Sequence, residues 1–120
     1  MTIEQFQKLE EICKDSWEEL ARTGSETKPK YLSKFSCGCP ACEISRSVHN
    51  RIAHDCLFCP IDEWRKSASE DCGSVCERES YYGEWRHGAV PERRKAASKI
   101  AGLPWTYLPE YEDIDVSDLL

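Results

Sequence analysis

Between Thr2 and Arg22 apolar residues recur at intervals of three and four: Phe6, Leu9, Cys13, Trp17 and Leu20. That spacing puts them on one stripe of an α-helix, with charged residues on the opposite face. Thr2 followed by Gln5 is a capping-box pair, and Gly24 is a natural stop, so a helix is expected over residues 2–22. Cys13 lies inside the stripe without a second cysteine nearby and reads as a buried core thiol. Ala41 to Ala53 carries Ile44, Val48 and Ile52 on one face and predicts a second, shorter helix. Ile61 to Ala68 fits one or two helical turns, and Val75 to Trp85 is a further candidate with Tyr81, Tyr82 and Trp85 as bulky filler. Over residues 90–101, Pro91 suits a first turn, Ala96, Ala97 and Ile100 form a narrow apolar face, and Gly102 and Pro104 end the element. The polar stretch GSETKPKYLSKFS, residues 24–36, reads as a linker anchored by Tyr31 and Phe35. Strand signals are weak throughout, and no internal repeat is evident.

These elements must pack with little material. The chain has 120 residues, of which 40% are hydrophobic. Domains of this size bury a low fraction of their surface and often need cross-links. Eight cysteines could supply them, seven lying between Cys37 and Cys76. The start, MTIEQFQKLEE, has neither the basic nor the apolar region of a secretory signal, and no apolar run has the length of a membrane span. A cytoplasmic location is therefore expected, where thiols stay reduced and clustered cysteines bind metal.

Two matched pairs, Cys39/Cys42 and Cys56/Cys59, are separated by thirteen residues. A CxxC turn aims two thiolates at one point, and two such turns supply the tetrahedral four-sulfur shell that zinc favours. The expected ligands are thus Cys39, Cys42, Cys56 and Cys59, holding structural zinc with no open position. Pro60 fixes the exit from the second turn. Iron is the competing metal, but the tight C-x2-C-x2-C run of iron–sulfur proteins is absent. Cys37, Cys72 and Cys76 form a second or alternative ligand set.

Catalytic patterns are poorly represented. There is no HExxH, and neither His49-Asn50-Arg51 nor His54-Asp55-Cys56 supplies the HxE of zinc deaminases. VHNRIAHDC shares a histidine-and-asparagine pattern with HNH nucleases, some of which carry flanking CxxC knuckles, yet the hairpin before the helix is not legible. A nuclease ranks third among the functional readings.

Charge separates the two that rank above it. Net charge is −6, but residues 105–120 hold five acids and no base, so the rest is nearly neutral. In this segment Glu110, Glu112, Asp113, Asp115 and Asp118 alternate with apolar residues including Tyr107 and Tyr111. A flexible acidic–apolar segment can fold onto a basic groove of a protein partner. The first reading is therefore a non-enzymatic interaction module or inhibitor, with Tyr107, Tyr111, Glu112, Asp113 and Asp115 as partner contacts. A solvated extension, or a tail folded back on its own basic helix, is the plain alternative. The second reading is nucleic-acid binding through Arg86, Arg93, Arg94, Lys95 and Lys99, with Lys28, Lys30 and Lys34 adding charge. The overall negative charge opposes it.

CPAC, then CLFCPI, then Cys72 and the aromatic run YYGEW resemble a group of small bacteriophage proteins. These share a CxxC, a later CxxCP followed by an aliphatic residue, another cysteine and a Tyr-rich segment. The likeness covers residues 37–86, and this chain departs from it by adding Cys37 and Cys76. It implies a phage or prophage protein acting in the host cytoplasm, where a host or defence protein would be its partner, and it implies no catalytic activity. The expected fold is a small mostly-α metal-stabilised domain in which zinc-knuckle turns join short helices. Residues 1–104 would form the domain, with a cysteine-rich core at 37–76, and residues 105–120 an acidic tail.

Overall fold

A computed structural model describes residues 1–35, 38–49, 57–67 and 81–120 of the chain. It is mostly helical: α1 (Ile3–Thr23), α2 (Pro40–His49), α3 (Asp62–Ser67), α4 (Tyr81–His87) and α5 (Val90–Ala101), with short 3-10 turns at Lys30–Lys34, Pro109–Tyr111 and Ser117–Leu119. No strand occurs among the described residues, where the extended backbone pairs at one antiparallel bridge, Ile61 to Trp105.

Helix α1 begins and ends where its sequence directs. Gln5 N–H donates to Thr2 Oγ1 at 3.1 Å and Thr2 N–H to Gln5 Oε1 at 2.9 Å, so both halves of the capping box form. Gly24 closes the helix at φ +69°, a left-handed conformation that glycine reaches without a Cβ clash. A Cβ there would also meet Val90 Cγ1 at 2.8 Å, so the same glycine lets α5 approach. The stripe Phe6, Leu9, Cys13, Trp17 and Leu20 is buried along its whole length, with Ser16 beside it.

Helix α1 packs against α5 and, less extensively, α2, and α4 lies on α5. Ala96 and Ala97 are buried in α5; their small side chains let two backbones come close. Arg93 ties the α1 end to the α4–α5 turn, donating from Nε to Gly24 O at 3.0 Å and from Nη1 to Gly88 O at 2.8 Å. The expected linker is partly structured. Leu32 and Phe35 are buried, whereas Tyr31, expected as an anchor, is 50% exposed.

The core has two parts. One gathers Cys13, Trp17, Leu20, Cys39, Cys42, Cys59, Trp64, Trp85 and the α5 alanines. The other gathers Phe6, Leu9, Leu32, Phe35 and Ile44 with Tyr111, Ile114 and Val116 from the C-terminal segment. Residues 105–120 are therefore packed with residues 1–104. Tyr111 is fully buried, and its hydroxyl donates to Phe58 O at 2.6 Å. Tyr107 donates to Met1 O, and the Met1 amino group donates to Glu112 O and Ile114 O. The segment folds back on the start of α1 and on the loop before α3. No described helix is long and apolar enough to cross a membrane.

Candidate metal centre

The first cysteine pair is set at a helix start. Cys39 O accepts from Glu43 N–H at 3.0 Å, which makes Cys39 the N-cap of α2, and Cys42 sits one turn on. Pro40 at the first helical position has no N–H to leave unpaired. Gly38, immediately before, holds φ +61°, a left-handed conformation that glycine adopts without a strained side chain.

Cys59 reaches the same core cluster from the loop before α3, and a set of hydrogen bonds fixes that loop. Arg65 Nη1 donates to Cys59 O at 3.0 Å while Arg65 Nη2 pairs with Asp62 at 2.9 Å. Thr106 N–H donates to Pro60 O at 2.9 Å, and Asp62 N–H to Pro104 O at 3.1 Å. The Tyr111 hydroxyl holds Phe58 O from the other side. The C-terminal segment, read from sequence as a partner-binding tail, thus braces the second cysteine turn. Within it, Tyr111 is core and Tyr107 partly buried, whereas the carboxylates of Glu110, Glu112, Asp113, Asp115 and Asp118 all lie at the surface.

The sulfurs interact. Hydrogen bonding with Cys13 and Cys42 favours the ionised form of Cys39. These bonds hold the Cys39 thiol well below its ordinary pKa against the opposing effect of burial, and the nearby Lys28 charge helps. Cys13 moves the other way: its bond to Cys39, burial and the Cys39 and Cys59 charges keep it protonated. Burial alone would lower the Lys28 pKa, but the charges at Cys39, Tyr82 and Cys42 outweigh it and raise it. The Lys28 ammonium lies 4.8 Å from the Tyr82 ring centroid and 5.8 Å from that of Trp17, a cation–π seat beside the sulfurs.

Cys13, Cys39, Cys42 and Cys59 are all buried and free of disulfides. Among the described residues, no group of three or more His, Cys, Asp or Glu side chains is arranged to hold a metal ion. Of the four ligands expected from spacing, Cys39, Cys42 and Cys59 share one core cluster. Cys56 lies outside the described residues, as do Cys37, Cys72, Cys76, His54 and the His49 side chain. Sequence reasoning assigned Cys13 to plain core and passed over its place against Cys39. The sequence reading of Lys28, a loop charge adding to a nucleic-acid-binding patch, does not anticipate its seat beside Trp17 and Tyr82. The one available signal was that Cys13 falls on the same apolar stripe as Trp17, which packs against the α4 aromatics.

The basic patch is reduced in the fold. Arg93 is spent on Gly24 and Gly88, leaving Arg86, Arg94, Lys95 and Lys99 exposed. Lys99 also stands 4.9 Å from the Tyr81 ring. No family model matches the chain, and neither does any curated protein or solved structure.

Proposed function

We propose that this protein is a non-enzymatic interaction module whose helices are joined by structural zinc, held by Cys39, Cys42, Cys59 and a fourth thiolate. The observation that carries the reading is the burial of reduced cysteines from separate parts of the chain in one cluster. Cys39, Cys42 and Cys59 are 8%, 6% and 3% exposed. A low-pKa thiol at a helix start also suits a redox dithiol, but such a thiol must meet its substrate, and these are closed off. Zinc bound by four thiolates likewise has no position for a substrate. Zinc suits the sulfur set and the small core better than iron, whose clusters use tighter cysteine runs.

The partner surface is the acidic C-terminal segment. Tyr111, Ile114 and Val116 bury their side chains while Glu110, Glu112, Asp113, Asp115 and Asp118 remain exposed. An ordered row of carboxylates pays little entropy on binding and complements a basic groove on a host or defence protein. The resemblance to small phage proteins supports a host cytoplasm as the setting of that encounter.

The test has two parts. Reduced protein purified without added metal is expected to carry stoichiometric zinc and to unfold on chelation; a metal-free, cooperatively folded sample would overturn the zinc reading. Neutralising the five carboxylates as amides is expected to abolish capture of the host protein retained by the wild type, and unchanged capture would remove the acidic surface from the account. Nucleic-acid binding through Arg86, Arg94, Lys95 and Lys99 is the alternative, and it predicts a gel shift at low salt that fades steeply as salt rises.

A further inference from the structure

We propose that the groove between α4 and α5 binds a small zwitterion, an ammonium and a carboxylate joined by a short apolar chain. The inference is independent of the metal reading. The two helices are joined by Gly88 and Ala89 alone and pack on each other as a hairpin. The groove along them has a volume of about 490 Å³, within the range of small-molecule sites, and is lined by Glu84, His87, Gly88, Glu92, Lys95 and Lys99. Its walls are fixed from behind. Trp85 is buried in α4, as are Ala96, Ala97 and Ile100 in α5, and Arg93 ties the turn to the end of α1 through Gly88 O and Gly24 O.

Helix geometry places the charges. Glu92, Lys95 and Lys99 stand at i, i+3 and i+7 on one face of α5, so Glu92 and Lys99 are two turns apart, about 10 Å along the axis. On the facing wall, Glu84 and His87 are one turn apart in α4. The two acidic residues meet at the turn: a Cβ on Gly88 would lie 2.5 Å from Glu84 O and 2.9 Å from Glu92 Cβ. Glycine there keeps that end of the groove open. Acids therefore flank the turn end, and two ammonium groups lie further along α5. Among the described residues none of these four charges is in an ion pair, and Lys99 has only the Tyr81 ring, 4.9 Å away. Opposite charges that share a groove without pairing each other complement a ligand that carries both. The stems of Lys95 and Lys99 give its chain an apolar wall. A polyanion would bring negative charge against Glu84 and Glu92, and a metal ion finds no group of three ligands among the described residues.

The experiment titrates isotope-labelled full-length protein with aminohexanoate and follows the backbone amide resonances. Saturable shifts centred on residues 84–99 are expected, with a dissociation constant on the order of 1 mM for so open a site. Hexylamine and hexanoate, which carry the same chain and one charge each, are expected to bind at least about fivefold more weakly. Glu84→Gln with Glu92→Gln, and Lys95→Met with Lys99→Met, are expected to weaken aminohexanoate by a similar factor. All four positions are exposed, so the fold is expected to survive. The glutamine pair should also bind hexanoate more tightly than the wild type does, a gain that a misfolded variant would not show. The absence of saturable shifts up to about ten times the expected constant would overturn the proposal, as would equal binding of the singly charged compounds. A short DNA duplex that shifts the same residues at lower concentration than aminohexanoate would also overturn it, in favour of the nucleic-acid alternative.

Discussion

The two halves of the core use aromatic rings to different ends. Around Phe6, the rings of Trp105, Tyr107 and Tyr111 lie with centroids 5.9, 5.2 and 5.8 Å away. Both tyrosine hydroxyls there reach a backbone carbonyl. This half closes by shape and by paired polar groups, as a core of ordinary material does. Around Trp17, the rings of Trp85 and Tyr82 lie 5.1 and 5.9 Å away, and the neighbours are sulfurs and an ammonium group. Here Trp64 Nε1 and Trp85 Nε1 are buried with no hydrogen-bond partner among the described residues. A core half that mixes thiols, a cation and unpaired indole donors is poorly made for apolar packing alone. The contrast teaches where the proposed cross-link would act: in the thiol half, not the tyrosine half.

Chelation should separate the halves most strongly. Structural zinc sites contribute about 10–16 kcal/mol at neutral pH, more than a small core supplies. A strong chelator is expected to abolish the near-ultraviolet circular dichroism of Trp17, Trp64 and Trp85 in reduced protein. Retention of those signals would place the stability of this half in packing.

Next in size is Tyr111→Ala. It empties a fully buried site in the other half and should cost about 3–5 kcal/mol, read from denaturant midpoints. Tyr111→Phe keeps the ring but leaves Phe58 O without its donor, at about 1–2 kcal/mol. If the C-terminal segment braces the cysteine loop, Tyr111→Phe should also speed metal release from the wild-type ligand set.

The halves should also fail at opposite ends of the pH scale. Burial raises the Tyr111 pKa above the usual tyrosine value. A folded pKa above the unfolded one gives stability that is complete below about pH 10 and lost as pH rises. Alkaline unfolding should thus begin in the Phe6 half, and Tyr111→Phe should flatten that limb. On the zinc reading, acid would act on the other half by protonating thiolates and releasing the metal. A smaller acid effect comes from Asp62. Burial works to raise its pKa, but hydrogen bonds from Thr106 and Arg65 outweigh it and lower it. That contribution is present above about pH 4 and fades as pH falls through the lowered value. Asp62→Asn should remove it at a cost of roughly 0.5 kcal/mol or less, since the pair with Arg65 is partly solvated.

Much of the helical framework could be read directly. The Thr2–Gln5 box, the α1 stripe, Gly24 and the alanine face of α5 each depend on residues within a few positions of one another. The burial of Cys13 was legible for the same reason, but its neighbour was not, because Cys39 lies on another element. The C-terminal segment was harder. Its alternation of acids with Tyr111, Ile114 and Val116 suits either a flexible binding tail or a segment with one face docked. Periodicity does not say against what a face will dock, and here the place is the start of α1.

The sequence by itself determined where α1 and α5 begin and end, which of their faces are apolar, and that thiols are concentrated in a domain short of core. Capping, left-handed glycines and helical periodicity are local effects, settled by bonds spanning four residues or fewer. Only the tertiary structure decided that Cys13 meets Cys39, that Lys28 stands beside them, and that Tyr111 holds the loop carrying Cys59. Those meetings depend on how α1 lies against α2 and α5, and packing over such separations is a property of the whole chain.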